Sequence, residues 1–454
     1  MTEHLNRAEK FKLLNAIKFP KRKKMAYNKN RDFDVVIFGA SGFVGQYVIE
    51  ELAHSSISSK LKWAIAGRNK EKLRESLKIV QGYLGKEIDI TETPLIEADV
   101  NNALSLLNLC KRTKLILNCV GPYNLYGEAV IKACIEAGTH HIDLSAETKY
   151  LEETQTQYFQ AAREKNVYIV LACGMGFLID DYGISALKKH FPGDLNAVEY
   201  FETLKIGPDG IKVHLGTFLS CAVQFWENLF FKDPQEKKLY LKDLPQNKYP
   251  LKLRYPPIFY SSEEKRWCVW LLYANSRCLQ RSQLFRYNYL NDRPIMSQSY
   301  VSMPHFFMVL IVAIYAIFLV IMTRFSFGQS LLAKYPSFFS AGIFSSEGPT
   351  RKQVMESGSK FTFYGQGWKE KLSNPTDQHN TKPDTRMKLT ITGPEPAYPL
   401  TAMCMVQAGL TVLQEQDKIP LQGGVLTPGV AFENTSLQKR LEKRGVTFKY
   451  ENIH

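Results

Sequence analysis

Phe33-Asp34-Val35-Val36-Ile37-Phe38-Gly39-Ala40-Ser41-Gly42-Phe43-Val44-Gly45 is the part of the chain from which its architecture follows. An apolar run of strand length passes directly into a glycine-rich turn and then into a helix start. That order suits a dinucleotide pyrophosphate. Glycine adopts positive φ and lets the backbone approach the phosphates, whose charge meets the free N–H groups and dipole of the helix N-terminus. The spacing is G-x-x-G-x-x-G, a variant of the usual fingerprint, and a glycine triplet alone also begins ordinary helices. Gly39, Ser41, Gly42, Phe43 and Gly45 are the expected cofactor contacts.

The surroundings strengthen this reading. A helix over Gln46 to Ala53 is followed by a second apolar strand, Leu61 to Ala66, and then by Gly67-Arg68-Asn69-Lys70. A site built for NAD places a carboxylate near the end of that second strand to bind the ribose 2′-hydroxyl. Here Arg68 stands there, with Lys70 and Lys72 nearby, and cations suit a 2′-phosphate. NADP(H) is therefore the expected cofactor and NAD(H) the alternative.

Alternation continues downstream. A third strand ends at Ile96 to Val100, a helix covers Leu104 to Leu109, and a fourth strand runs from Leu115 to Val120. A helix from Glu128 to Ala137 ends at Gly138, and strands at His141 to Ser145 and Val167 to Ala172 flank a helix from Tyr150 to Lys165. Short apolar strands alternating with amphipathic helices predict an α/β fold, a doubly wound Rossmann-type parallel sheet over residues 32–190. Beyond Pro192 the rhythm changes. Ala197 to Leu204, Phe361 to Gly365 and Met387 to Ile391 read as strands of a mainly antiparallel sheet in a second, α+β domain, divided into residues 191–300 and 346–400. Lys369 to Arg386 is a polar loop within it. Residues 401–454, with an apolar helix over Met403 to Leu413, are expected to pack back on the cofactor domain.

Residues 301–345 interrupt that second domain. Phe306 to Met322 is 17 residues without a charge, lacking the polar stripe of an ordinary amphipathic helix, and the aromatic stretch behind it carries Arg324 and Lys334. If the strands on either side share one sheet, both ends of this insertion lie on the same side of any membrane. A re-entrant or interfacial element on a membrane or lipid-droplet surface then fits better than a span. The competing reading is a buried helix or a homodimer interface.

The formal net charge is +14 over 454 residues. At that length two or three domains are expected. Part of the charge lies in residues 1–31, where Lys18, Lys21, Arg22, Lys23 and Lys24 follow Leu5, Phe11, Leu13, Leu14 and Ile17. Three readings stay open for this extension: an amphipathic helix on an anionic surface, a transit peptide, or a solvated tail. No nucleic-acid module accompanies the charge, so nucleic acid is not an expected partner. The eight cysteines are scattered, without a C-x-x-C pair or a Cys/His cluster at metal-ligand spacing. They read as reduced core residues in a cytosol-facing protein, and no metal is expected.

Asn118-Cys119-Val120-Gly121-Pro122-Tyr123 stands at the carboxyl end of the fourth strand, where doubly wound sheets bind the reacting end of a dinucleotide. Asn118, Gly121 and Pro122 are expected cofactor neighbours. Tyr123, Tyr126, Asp143, Glu147, Asp181 and His214 are of types able to move a proton. Tyr123, Asp143, Asp181 and His214 form the expected catalytic set, with a loop cap for Asp143 and a packed ring for His214 as competing structural readings.

This block, together with Tyr126-Gly127, Ala133-Cys134, Gly138, Asp143-Leu144-Ser145-Ala146-Glu147, Gly207-Pro208-Asp209-Gly210, His214, Gly216-Thr217, Phe363-Tyr364-Gly365-Gln366-Gly367 and Gly393-Pro394-Glu395, resembles the saccharopine dehydrogenase-like oxidoreductases. That group is related to saccharopine reductases and to bacterial trans-acting enoyl reductases of lipid synthesis. The resemblance covers nearly the whole chain from Phe33. It implies a nucleotide-binding fold, a two-domain enzyme-like architecture and association with lipid droplets or other membranes. One stretch departs from the family's Gly-Phe-Asp-Ser-Ile-Pro-x-Asp: Gly174-Met175-Gly176-Phe177-Leu178-Ile179-Asp180-Asp181 keeps Gly174 and Asp181 but has Gly176 for the first aspartate and Phe177 for the serine.

The function expected is an NADP(H)-binding oxidoreductase on a membrane, a lipid droplet or a mitochondrial or other organelle surface, reducing a carbonyl or enoyl group of a lipid. The competing reading is a catalytically weak cofactor-binding adaptor or redox sensor. A soluble amino acid dehydrogenase leaves the apolar insertion unexplained.

Overall fold

The computed structural model describes residues 31–217, 243–270 and 274–453. The basic extension, apart from Arg31, lies outside the described residues, as does Cys221.

The cofactor-type sheet is built from β1 (Phe33–Phe38), β2 (Trp63–Gly67), β3 (Leu95–Glu97), β4 (Thr113–Asn118), β5 (His140–Asp143) and β6 (Tyr168–Val170), alternating with α1 (Phe43–Ser59), α2 (Lys70–Gln81), α3 (Ala103–Lys111), α4 (Tyr123–Ala137) and α5 (Thr148–Glu164). The helix α6 (Phe177–His190) leads out of it. Val35, Val36, Ile37, Ile65, Leu115, Ile116, Leu117 and Ile142 are fully or almost fully buried, because a parallel sheet covered by helices on both faces has no solvent side. A seventh strand from the C-terminal region, Gly424–Leu426, pairs in parallel with β6. The strand order places β1 between β2 and β4, and all pairs are parallel. Chain direction across the sheet reverses between β1 and β4, and that switch point opens a crevice at their carboxyl ends.

The second sheet begins with β7 (Asp194–Lys205). After a short β8 (Val213–His214) it continues through β9 (Ile258–Ser261), β10 (Arg266–Trp270) and β11 (Met296–Met303), then β13 (Gly358–Trp368) and β14 (Thr385–Pro394), and ends with β16 (Thr447–Ile453). Here β12 is Phe344–Ser345 and β15 is the Gly424–Leu426 strand already placed. All its neighbouring pairs are antiparallel except β7 with β11, which run parallel from Ala197↔Met296 to Thr203↔Ser302. The helix α7 (Ala274–Phe285) lies in the long connection from β7 to β11, the crossover that this parallel pair requires.

The region after residue 400 serves both sheets. Its helix Thr401–Gln414 packs on α1, β4 and β5, while β16 adds an edge strand to the second sheet. Pro396–Gln414 is the one helix among the described residues long and apolar enough to cross a membrane, yet most of it is buried in the core.

Between β11 and β12 stands a helical hairpin: α8 (Phe306–Thr323), α9 (Ser326–Lys334) and α10 (Pro336–Phe339). At 1.5 Å per residue, α8 is roughly 27 Å long. Val309 and Leu332 are buried, and Phe318 stacks on Phe339 at 6.0 Å. Phe307, Ile311, Ile314, Ile317 and Ile321 follow helical spacing along one face and are 56 to 76% exposed. The chain returns through β12, which pairs with β8, and α11 (Arg351–Glu356) follows.

Some expected boundaries shift. The helix expected from Glu128 starts at Tyr123, and the fourth strand ends at Asn118, so Cys119 lies past it. All seven described cysteines are free and all but Cys119 are buried.

Candidate functional site

The glycine turn occupies the crevice at the end of β1. Gly39 has φ +85°, and a Cβ there would lie 2.8 Å from the Val120 side chain, so only glycine lets the turn pass this close to the end of β4. A Cβ on Gly45 would meet the Gly39 and Ala40 carbonyl oxygens at 2.6 and 2.8 Å. Gly42 is different. It is the N-cap of α1, and among the described residues no side chain caps the helix and its Cβ position meets only the Gly39 carbonyl oxygen, at 3.3 Å. Its outer side is open, and the helix N-terminus is left for an anion. Ser41 is exposed and Phe43 half-buried beside it.

Two further features fit a phosphorylated dinucleotide. Arg68, one residue past β2, is exposed and makes no ion pair or hydrogen bond among the described residues. Asn118, at the end of β4, is fully buried; its Oδ1 accepts from the Val120 N–H, while Nδ2 has no partner among the described residues. Gly121 is exposed and Pro122 is the N-cap of α4. Gly39, Gly42 and the α1 N-terminus would hold the pyrophosphate, Arg68 the 2′-phosphate, and Asn118 with the Gly121-Pro122 turn the nicotinamide end.

Arg68→Ala should weaken NADPH binding by roughly 10- to 100-fold, the worth of one charge-assisted contact, and leave NADH nearly unchanged. Parallel fluorescence titrations with the two cofactors test this. Equal losses would assign Arg68 another role.

The expected catalytic residues do not converge. Asp143 is fully buried and accepts from Ser145 N–H at 3.1 Å, Ser145 Oγ at 2.6 Å, Ala172 N–H at 3.0 Å and Tyr150 Oη at 3.0 Å, with His141 Nε2 3.2 Å away. Burial pushes its carboxyl up, but His141, Ser145 and Ala172 outweigh that and hold it below its ordinary value. As found, it ties β5 to the end of β6 and has no oxygen turned to the cleft.

Asp181, on α6, is buried and accepts from Ser282 Oγ at 2.7 Å and the Gly429 N–H at 2.6 Å. Burial raises its pKa, with Ser282 and Arg286 only partly offsetting it. Tyr123 is a strut: its hydroxyl donates to the Asn118 carbonyl at 2.9 Å and accepts from the Leu144 N–H at 3.3 Å. Burial, then Asp143, keeps the phenol protonated by raising its pKa. Glu147 accepts from the Tyr123 N–H at 3.0 Å and from the Asn124 N–H, capping the open end of α4.

His214 alone of the expected set reaches the glycine turn. Its ring stacks on Phe43 with centroids 5.0 Å apart at 13°, and its backbone N–H donates to Tyr398 Oη at 2.8 Å. Nδ1 accepts from the Gly216 N–H at 3.1 Å, and burial lowers its pKa, so the ring is neutral. Tyr126, on the first turn of α4, is partly exposed, and its hydroxyl makes no hydrogen bond among the described residues.

Tyr398 and Arg351 complete the wall around α1. Tyr398 is buried, edge-on to Phe43 at 4.8 Å and stacked on Tyr47 at 5.5 Å. Arg351 forks onto both Glu50 oxygens, at 2.6 and 2.5 Å. Neither residue carries a local motif; both reach the site only because the chain returns to α1 after more than 300 residues, an approach no sequence window contains. Glu395 starts the same returning segment and accepts from the Ala397 and Tyr398 N–H groups at 3.0 and 2.9 Å.

Burial pushes the Glu395 carboxyl up to about 7. A raised acid binds its proton more tightly in the folded chain. The stability this contributes is full below the ordinary value of 4.5 and lost as pH rises through about 7. Glu395→Gln should flatten the pH dependence of the melting temperature across that window. An unchanged slope would mean that another group titrates.

The family-divergent loop is reshaped as well as stripped of a carboxylate. Gly176 has φ +87° as the residue before α6, a conformation costly for any side chain, and Phe177 is buried.

A doubly wound NADP-binding domain joined to a mainly antiparallel second domain, with the crevice at their junction, is the architecture of a nicotinamide-dependent oxidoreductase. The profile of the saccharopine dehydrogenase NADP binding domain matches residues 35–170. A mouse saccharopine dehydrogenase-like oxidoreductase is 38% identical over 92% of this chain and 97% of its own length. A Caenorhabditis elegans protein named lipid droplet localized protein is 34% identical over 92% of this chain and 98% of its own. Among solved structures, apo saccharopine dehydrogenase (L-Glu forming) from Saccharomyces cerevisiae superposes with TM-score 0.51 at 12% identity, covering 93% of this chain and 100% of its own, a likeness of fold. The chain belongs to the saccharopine dehydrogenase-like oxidoreductases.

Proposed function

We propose that this protein is an NADPH-dependent reductase acting at a lipid surface, with a carbonyl or enoyl group of a lipid as its target. The observation that carries the reading is the exposed apolar stripe of α8 on a chain whose first domain binds NADP. No carboxylate lies between Asp292 and Glu347, while Arg324 and Lys334 do, a balance suited to phosphate headgroups. The nematode relative's name agrees with a cytosol-facing lipid-droplet surface; a mitochondrial or other organelle membrane is the alternative.

Gly39, Gly42, Arg68 and the end of β4 would hold NADPH, which when bound would supply the hydride for a carbonyl carbon or an enoyl β-carbon. The remaining proton goes to the oxygen or α-carbon. Asp143, Asp181, Tyr123 and Glu147 are engaged elsewhere, and neutral His214 is held by Gly216 and the Ser346 backbone. Tyr126 is the acid of choice, partly exposed and so reprotonated from solvent.

Tyr126→Phe should lower turnover by about 100-fold without changing cofactor affinity. The assay incubates the protein with NADPH and lipid extracts and follows masses that gain two hydrogens. Full turnover in the variant would remove Tyr126 from this role. The second reading, a catalytically weak cofactor-binding adaptor, is favoured by the engaged carboxylates and the Gly176 loop; cofactor binding with no such mass change in any extract would support it.

A further inference from the structure

The root of the apolar hairpin lies against the cofactor turn. Its return strand β12 pairs with β8, Phe344 with Val213 and Ser345 with His214. His214 in turn stacks on Phe43, the residue that follows the open N-cap Gly42. Gly348, three residues past Ser345, has φ +73°, and a Cβ there would lie 2.9 Å from the Phe43 ring and 3.1 Å from the His214 Cβ. Gly348 thus brings the hairpin's returning chain within van der Waals reach of the Phe43 ring.

The wall between them is mainly aromatic, with the Arg351–Glu50 ion pair beside Tyr47. Phe43, Tyr47 and Tyr398 form an aromatic cluster with uncharged His214, and Ile343 at the hairpin's root is partly exposed. Each methylene of a lipid chain lowers its concentration in water by roughly fourfold, so a cleft facing bulk water would almost never meet a long-chain substrate. A cleft whose lip is also the root of a leaflet-docked hairpin avoids that desorption.

We infer that the cleft beside Phe43, His214 and Gly348 opens onto the lipid leaflet, and that a long-chain apolar carbonyl or enoyl compound enters it directly from that leaflet along the hairpin's root. The inference rests on the reading of α8 as a lipid-docking element.

The test uses the full chain with NADPH and phosphatidylcholine vesicles containing a long-chain ketone that carries a diazirine. After photolysis, adducts are mapped by mass spectrometry. Adducts are expected on the α8 stripe and on the segments holding Phe43, His214 or Gly348. A double variant, Ile311→Asp with Ile317→Asp, changes only exposed positions; it should stop floating with vesicles, still bind NADPH, and lose at least tenfold of the cleft adducts. Adducts on α8 with none at the cleft would overturn this inference and leave the docking reading standing. No adducts and no flotation of the unmodified protein would overturn both. Cleft adducts undiminished in a double variant that no longer floats would also overturn it, because the ketone would then be arriving through water.

Discussion

Gly42→Leu should abolish NADPH binding in a protein that remains folded. Gly42 has φ −75°, open to any residue, and its Cβ position has one neighbour, the Gly39 carbonyl oxygen at 3.3 Å, which needs to give by only a few tenths of an ångström. The added side chain therefore projects into the space left for the pyrophosphate. Losing the helix N-terminus as an anion site, with its several charge-assisted hydrogen bonds, should lower affinity by at least ~100-fold. Gly45→Ala provides the contrast. Its Cβ would lie 2.6 to 2.9 Å from backbone atoms of Gly39 and Ala40, so it should lower the melting temperature as well. Fluorescence titration and thermal melts on both variants separate binding from folding. A folded Gly42→Leu protein with unchanged titration would show that the dinucleotide sits elsewhere.

The parts of this molecule legible in the sequence are those whose determinants are consecutive. β1, the glycine turn and α1 follow one another, so the apolar run, the spaced glycines and the helix start could be read together. The second sheet's mainly antiparallel character was legible strand by strand, but the parallel pairing of β7 with β11 was not, since nearly a hundred residues separate them. α4 begins five residues before the helix read from its pattern because Glu147, from beyond β5, caps its first turn. Tyr398 and Arg351 escaped notice for the same reason. Apolar content alone also could not separate the two most apolar helices: Pro396–Gln414 is core and α8 is exposed, a difference made by neighbours. For Asp143 and Asp181 the residue type was legible. Their saturation by Ser145, Ala172, Tyr150, Ser282 and Gly429 was not, and it decides what they can do.

Excising His305 to Gly342 and bridging the gap with about ten Gly/Ser residues, a coil reaching roughly 18 Å, should yield a protein that no longer floats with lipid vesicles yet binds NADPH as before. The cut respects the sheet: β11 ends at Met303, where it still pairs with Trp267, and β12 begins at Phe344. No residue of the glycine turn, Arg68 or the end of β4 is touched. The same connectivity fixes the topology. Both ends of the hairpin enter one body, β11 beside β7 in the second sheet and β12 onto β8, so any crossing of a bilayer must be matched by a return. Lys248 and Gln378 are hydrogen-bonded to each other at 3.2 Å, which places the region ending at Lys248 and the exposed Lys369 to Arg386 loop together. Protease added to intact membranes should cut both, although residues 232–242 of the first region lie outside the described residues. Cleavage of one region with protection of the other until detergent is added would mean that the chain traverses the bilayer and that the two sheets do not assemble as found. If the intact chain stays in solution without lipid or detergent and fails to float with vesicles, the exposed stripe of Phe307, Ile311, Ile314, Ile317 and Ile321 has a protein partner instead, a second copy of this chain being the first to test.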